Sequence, residues 1–392
     1  MTKRSLALAL VAFFSVFCLA APLMAADKGT FSTKPKTNDG KKWRIGYYEG
    51  GQFPDYQLIL EVVLRGLQSL GWLKVELPDK HIKNHKEFWE WLSQNVKSEY
   101  LEFVPDAFYA SGDFDKELRP KVKAEFIKRV NEKKDLDFVL AMGTWAGQDL
   151  SNNEHRVPTM VGSSSDPIKS GIVKSADDSG FDHIHAKVEP ERYERQIRLF
   201  NDIIGFRKLG VVYEDSAEGR TFAAVDSVEK VARERGFEVV SCKASFSNVS
   251  QQEAEQAVAK CYAELAPKVD AGYITVHRGV TPQNLKKILA PFYKQKIPTF
   301  SMLGASEVKL GVLMSIAQAG FKYVGLFHAE VMAKVFNGAK PRDIDQKWQD
   351  PPKIAINLKV AELIGYDPPV DIMMAADEIY EQIDDPKGAM IE

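Results

Sequence analysis

Short apolar runs alternate with helical patterns along most of the chain. "WRIGYY" (43–48) is a strand-like run, and "DYQLILEVVLRGLQSLG" (55–71) carries apolar residues at helical spacing and stops at a glycine. "YLEFVPDAFY" (100–109) and "DFVLAMG" (137–143) are further strand candidates, separated by the helical "ELRPKVKAEFIKRVNEKK" (117–134). The alternation continues through "KLGVVYE", "GRTFAAVDSVEKVARERG", "FEVVSC", "QQEAEQAVAKCYAELA", "AGYITVH", "PQNLKKILAPFYKQ" and "IPTFSM". Strand, helix, strand repeats predict an α/β protein whose parallel sheets are covered on both faces. Two such sets are visible, divided near "FDHIHAKVEPER" (181–192), and residues 78–100, with Trp89 and Trp91 in "HKEFWEWLSQNV", predict an extra helix laid on the first.

The two ends of the chain break this pattern. Lys3 and Arg4 precede an apolar run, Leu6 to Ala21, and "PLMAAD" supplies small residues for cleavage near Ala25. Residues 1–25 therefore read as a secretory signal, too short and too soon broken at Pro22 for a membrane anchor. Residues 26–42 are polar and aperiodic, and predict a flexible leader. At 392 residues, 45% hydrophobic and 27% charged, the chain is long enough for two domains. Removing the signal lowers Lys+Arg from 52 to 50 against 54 Asp+Glu, a slightly acidic balance that argues against nucleic acid. Cys242 and Cys261 are the cysteines left after cleavage, and two buried thiols are expected rather than a disulfide.

In parallel α/β sheets, ligands sit beyond the carboxyl ends of strands, where helix N-termini aim free N–H groups. Four such ends carry polar residues. In "AMGTWAGQ", Thr144 is placed to cap a helix starting at Trp145; in "GSSSDPIKSG", Asp166 precedes Pro167 as an N-cap, with Ser163 to Ser165 just before it. "VVYEDSAEG" places Tyr213, Glu214 and Asp215 at a third end, with capping-box spacing from Asp215 to Glu218, and "TVHRGVTPQN" places His277 and Arg278 at a fourth. Tyr47, Tyr48, Trp145 and Tyr213 supply rings on these rims. Arg278 is read in two ways, as a clamp for a ligand carboxylate or as a latch to Glu214 or Asp215. Trp145 is likewise either a ring under the ligand or a packing residue.

It is at these ends that a resemblance is carried. "VLAMGTWAGQDL", "VPTMVGSSSDPIKSGIVKS", "KLGVVYE", "KIPTFSMLGASEVKLGVLMSI", "FNGAKPRDI" and "AINLKVAELIG", in that order, are similar to substrate-binding proteins of ABC importers, in the branch related to aromatic amino-acid binders. The resemblance runs from about residue 43 to 370 and implies two Rossmann-like lobes with parallel sheets joined by a hinge, the periplasmic binding protein type I fold. Lobe 1 would span 43–184 with a return segment at 312–350, lobe 2 would span 185–311, and 351–392 would pack near the hinge or on lobe 2. It implies an exported, periplasmic, monomeric protein that holds a small-molecule ligand, needs no cofactor, and reaches the membrane only through a permease. The family's ligand positions fall here on Thr144 with Trp145 and Ala146, on Ser164, Ser165 and Asp166, on Tyr213 and Glu214, and on His277 and Arg278, with Tyr48 beside them. The chain departs from the family pattern at Trp145, at Glu214–Asp215 and at His277–Arg278.

The expected ligand is a small polar-headed metabolite, an amino acid or related carboxylate, although Glu214, Asp215 and Asp166 leave a cation open. Delivery could be to an importer or to a sensor kinase. An enzyme reading finds no G-x-S-x-G, P-loop or G-x-G-x-x-G, and a serine in "GSSSDP" would depend on His277 as its base. His81 with His85, and His183 with His185, have metal-like spacing but no acidic or thiolate companions, so no metal is expected.

Overall fold

The computed structural model describes residues 31–78, 82, 84–317, 321–348 and 353–386. The signal segment, residues 26–30 and His81 lie outside the described residues. Two sheets carry the fold. The first holds β1 (Trp43–Glu49), β2 (Leu101–Ala110), β3 (Phe138–Met142), β4 (Thr159–Gly162) and β5 (Ile184–Ala186), all parallel, in the order β2-β1-β3-β4-β5. Residues of β3 and β4 are buried along their whole length, as a strand covered by helices on both faces requires. β2 alternates and carries Pro105, which an edge strand tolerates because one side of its ladder is unpaired.

The second sheet holds β6 (Lys208–Tyr213), β7 (Glu238–Lys243), β8 (Ala271–Ile274), β9 (Thr299–Ser301), β10 (Met314–Ala317), β11 (Lys353–Asn357) and β12 (Ala376–Tyr380), in the order β12-β11-β10-β9-β8-β6-β7. Its neighbours are parallel except β10 and β11. That exception follows from the path of the chain. After β10 the chain enters lobe 1, where helix Phe321–Phe336 packs on helix Pro54–Ser69 so closely that a Cβ on Gly66 would lie 2.8 Å from Ala329. The chain returns past the Val188–Lys347 bridge, so β11 enters the second sheet from the hinge side and runs opposite to β10. Met314 pairs with Phe300, so β10 belongs to the second sheet.

Several local expectations are corrected. Residues 31–42 are laid against lobe 1: the indoles of Trp72 and Trp43 donate to Thr33 O (2.9 Å) and Lys36 O (2.8 Å), and Asn337 donates to Lys34 O. The polar composition of this stretch hid that its backbone supplies the acceptors. Cys242 and Cys261 form a disulfide, joining β7 to helix Gln251–Leu265 across a Cα separation of 5.5 Å. The segment after Phe222 is two helices, Ala217–Phe222 and Val225–Arg235, because Ala224 takes a left-handed φ of 49° between them. The extra helix is His85–Asn95; Asn84 caps it by accepting from the Lys86 and Glu87 N–H groups, and its Trp89 donates to Val104 O on β2.

Candidate functional site

The carboxyl ends of both sheets face one cleft, and a small cavity of about 50 Å³ lies there. Its lobe 1 wall comes from the turns after β1, β2, β3 and β4. Met142 ends β3 and Gly143 opens helix Gly143–Leu150 with a φ of 89°. A side chain at Gly143 would collide with the Tyr56 hydroxyl, so glycine is what lets that ring reach the wall. Trp145 follows in the first turn, with its ring edge-on to Phe114 at 5.5 Å and the Arg119 guanidinium 4.5 Å over its face. Gly50 makes room for it: a Cβ there would stand 2.8 Å from the Trp145 Cβ. Ser163 and Ser165, after β4, complete the polar part of this wall.

Lobe 2 contributes Phe222, Phe246, Val276, His277 and Arg278. Glu214 positions Phe246 from below. Its carboxylate accepts the Phe246 N–H (2.8 Å), the Ser247 N–H (2.7 Å) and the hydroxyls of Ser247 and Ser216. Burial pushes its pKa up, but these hydrogen bonds outweigh burial and hold the carboxyl below its ordinary value. His277 has both ring nitrogens engaged: Nε2 lies 3.0 Å from Ala244 O, and the Gly279 N–H donates to Nδ1 at 2.9 Å. Nε2 therefore carries the hydrogen, and burial pushes the pKa down to about 4, so the ring is neutral. Neither ring nitrogen of His277 is left to deprotonate Ser163, Ser164 or Ser165.

Arg278 spans the cleft. Its Nη1 donates to Phe246 O and Val249 O within lobe 2, and its Nη2 reaches Asp113 Oδ2 of lobe 1 at 2.5 Å. The expected pairing of Arg278 with Glu214 or Asp215 does not form, since Glu214 is consumed by Phe246 and Ser247 while Asp215 pairs with Lys243 at 3.5 Å. Two further contacts join the lobes beside it, Tyr193 hydroxyl to Ser165 O and Lys116 N–H to Asn248.

Thr144, Trp145, Ser165, His277 and Arg278 line the cavity. Ser164 stands just behind, 3.3 Å from the Thr144 hydroxyl. The other expected residues are elsewhere. Tyr48 is fully buried with its hydroxyl on Asp149, Ala146 packs in the lobe 1 core, and Tyr213 lies under Lys243, whose ammonium is 3.5 Å from the ring centre. Asp166 accepts from the Ile168 and Lys169 N–H groups in a turn that does not extend into a helix. Thr144 is inside the helix it was expected to cap, and Ser216 rather than Asp215 caps Ala217–Phe222. Phe53, Tyr56, Phe114, Phe222 and Phe246 also line the cavity, and the sequence reading missed them. Phe114 and Phe246 each sit in a polar loop shortly after a strand end, and an apolar ring at that position was the available signal.

His85, His183 and His185 each have a neighbour within the fold. His85 Nδ1 is 2.7 Å from Glu49, His183 packs on His155 at 4.6 Å, and His185 Nε2 meets Asp345 O. Among the described residues no group of three or more His, Cys, Asp or Glu side chains is placed to hold a metal.

Comparison with known proteins decides the family. A family model described as ABC transporter substrate binding protein matches residues 117–379, well over half of the chain. The chain belongs to the ABC transporter substrate binding protein family. This binding protein is 25% identical over 272 residues to a tyrosine-binding protein of Clostridioides difficile, covering 67% of this chain and 74% of that one. Its fold is similar to a domain from Streptococcus pneumonia solved in complex with L-Trp (TM-score 0.64, 19% identity, 86% of this chain and 100% of that chain). It is also similar to the ligand-free, open structure of a substrate binding protein with adhesive properties from Clostridium difficile (TM-score 0.55, 17% identity, 87% and 100%). The two-lobed type I periplasmic binding fold is thus shared with these proteins. As a family member, the binding protein works outside the cytoplasm with a small-molecule ligand and an ABC permease. Among the described residues no helix is long and apolar enough to cross a membrane.

Proposed function

We propose that this binding protein captures a small carboxylate with a flat apolar body, an amino acid or a related acid, and delivers it to the permease of an ABC importer. The observation that carries the reading is a cavity whose walls are aromatic rings from both lobes and whose charged lining residue, Arg278, spans the cleft. Rings offer area with little side-chain entropy to lose, and a buried guanidinium offers a carboxylate the charge it cannot take from water. Tyrosine and L-Trp, the ligands in the names of two similar proteins, have this general shape. The protein acts as an exported monomer, its signal cut near Ala25, with a transient permease contact and no chemistry of its own.

A thermal-shift screen of amino acids, aryl and alkyl carboxylates, amines and sugars tests the ligand class. A ligand at 100 times its Kd adds about 2.7 kcal/mol to stability, several degrees for a chain of this size. A hit among carboxylates supports the reading, and a screen answered by sugars or amines overturns it. Ligand recovered unchanged after prolonged incubation supports a binder, whereas a mass change in the recovered compound defeats it.

A further inference from the structure

Two donors in the cleft have no protein acceptor. Trp145 is 2% exposed and Arg278 is 5% exposed; they come from opposite lobes and line the same cavity. The indole Nε1–H of Trp145 and the Nε–H of Arg278 are both buried without a hydrogen-bond partner. An unpaired buried donor costs roughly 1–3 kcal/mol, more when the group is charged, so two in one cavity mark a place where an acceptor is due.

The carboxylates nearby are already engaged or stand off the cavity. Among the described residues, no Asp or Glu side chain lines the cavity. Glu214 receives four hydrogen bonds from Phe246, Ser247 and Ser216, and Asp113 is held by Arg278 itself. Asp55, between the lining residues Phe53 and Tyr56, is not part of the lining. His277 cannot accept, because Nε2 is a donor to Ala244 O and Nδ1 already receives the Gly279 N–H. A ligand ammonium entering this cavity would lose its water, meet the like charge of Arg278 and find no carboxylate to pair with.

Taking as given that the cleft holds a small carboxylate, we infer that the ligand is an aromatic acid lacking an α-ammonium group, whose carboxylate is received by the N–H donors of Trp145 and Arg278. Its ring then lies among Phe53, Phe114, Phe222 and Phe246. Selection against the corresponding α-amino acid comes from the missing acid in the wall rather than from shape, since the two differ by one small substituent. Discrimination of this kind is strong because a charge left unpaired in a dry cleft costs more than a lost apolar contact.

Matched pairs test the inference by titration calorimetry on the full protein: 3-phenylpropanoate against phenylalanine, and indole-3-propanoate against tryptophan, with phenethylamine as the cation control. The expected result is binding of at least one des-amino acid at least a hundredfold more tightly than its amino acid, and no binding of the amine. Equal or tighter binding of either amino acid, or binding of the amine, overturns the inference. If neither acid of the pairs binds while the broad screen finds another ligand, the inference is wrong and the carboxylate reading is judged by that ligand; if no small carboxylate shifts the protein at all, both fall. Trp145→Phe removes the donor while keeping a ring, and it should weaken the des-amino acid tenfold or more with little change in Tm. Unchanged affinity in Trp145→Phe removes Trp145 from the head-group site.

Discussion

At the scale of single residues, Trp145 joins two roles that usually fall to different side chains. It packs under Phe114 and Arg119 and is also a wall of the cavity. Trp145→Ala should therefore lower stability by about 3–5 kcal/mol and weaken the ligand at least tenfold, read from the melting temperature and from calorimetry on the folded fraction. A loss in one measurement without the other would assign the ring to a single role. Glu307 makes a second residue-scale prediction. Burial, the largest cause, pushes its pKa from an ordinary 4.5 up to about 8; the Ser301 hydroxyl, donating at 2.5 Å, pulls it down and the charge of Asp55 pushes it further up. A raised acid holds its proton in the folded chain between these two values, so its stabilisation is complete below about pH 4.5 and is lost as pH rises through 8. Glu307→Gln has no proton to lose. The melting temperature of this variant relative to the parent should rise from pH 5 to pH 8.5, and a constant difference would show that Glu307 is ionised throughout.

At the scale of elements, the disulfide ties β7, the edge of the second sheet, to the helix that covers it. Closing a loop of 19 residues restricts the unfolded chain by about 3 kcal/mol on the chain-entropy account. Neither cysteine lines the cavity. Replacing both with serine, or reducing the bond, should lower denaturant stability by about that amount and leave ligand affinity unchanged. A fall in affinity would mean that β7 and the Phe246 loop after it move when the tie is cut. Element identity was largely legible in the chain, because apolar runs of strand length and amphipathic helical stretches bury different faces. What was not legible was where caps begin. Thr144, Asp166 and Asp215 all have cap chemistry, yet Thr144 lies inside its helix, Asp166 turns without one, and Ser216 takes the cap beside Asp215. Each outcome depends on a backbone angle, Gly143 at φ 89° being the plainest, that side-chain type alone does not set.

At the scale of the whole molecule, closure depends on contacts that exist only between lobes. Asp113 is 58% exposed on its side of the cleft while Arg278 is buried on the other, so the pair is wetted at one end and worth modestly little. Asp113→Asn should weaken ligand binding roughly fivefold, about 1 kcal/mol, and the effect should shrink at high salt. Small-angle scattering at ligand saturation should show the variant more open than the parent, because a ligand favours closure only by its differential affinity for the closed state. Identical scattering and affinity in variant and parent would make the pair incidental to closure.

The sequence by itself determined the α/β class and the strand ends where polar residues gather, because hydrophobic period and strand length are local properties of the chain. It also carried the family, through segments such as "AMGTWAGQ" and "GSSSDP". Tertiary structure alone decided which of those ends share a cavity, that Glu214 braces a loop instead of facing a ligand, that Cys242 meets Cys261, and that Arg278 crosses to Asp113, 165 residues away. The physical reason is common to all four. A charge or a thiol acts on whatever folding brings within a few ångströms, and when partners lie in different loops or different lobes no local pattern records which one will be near.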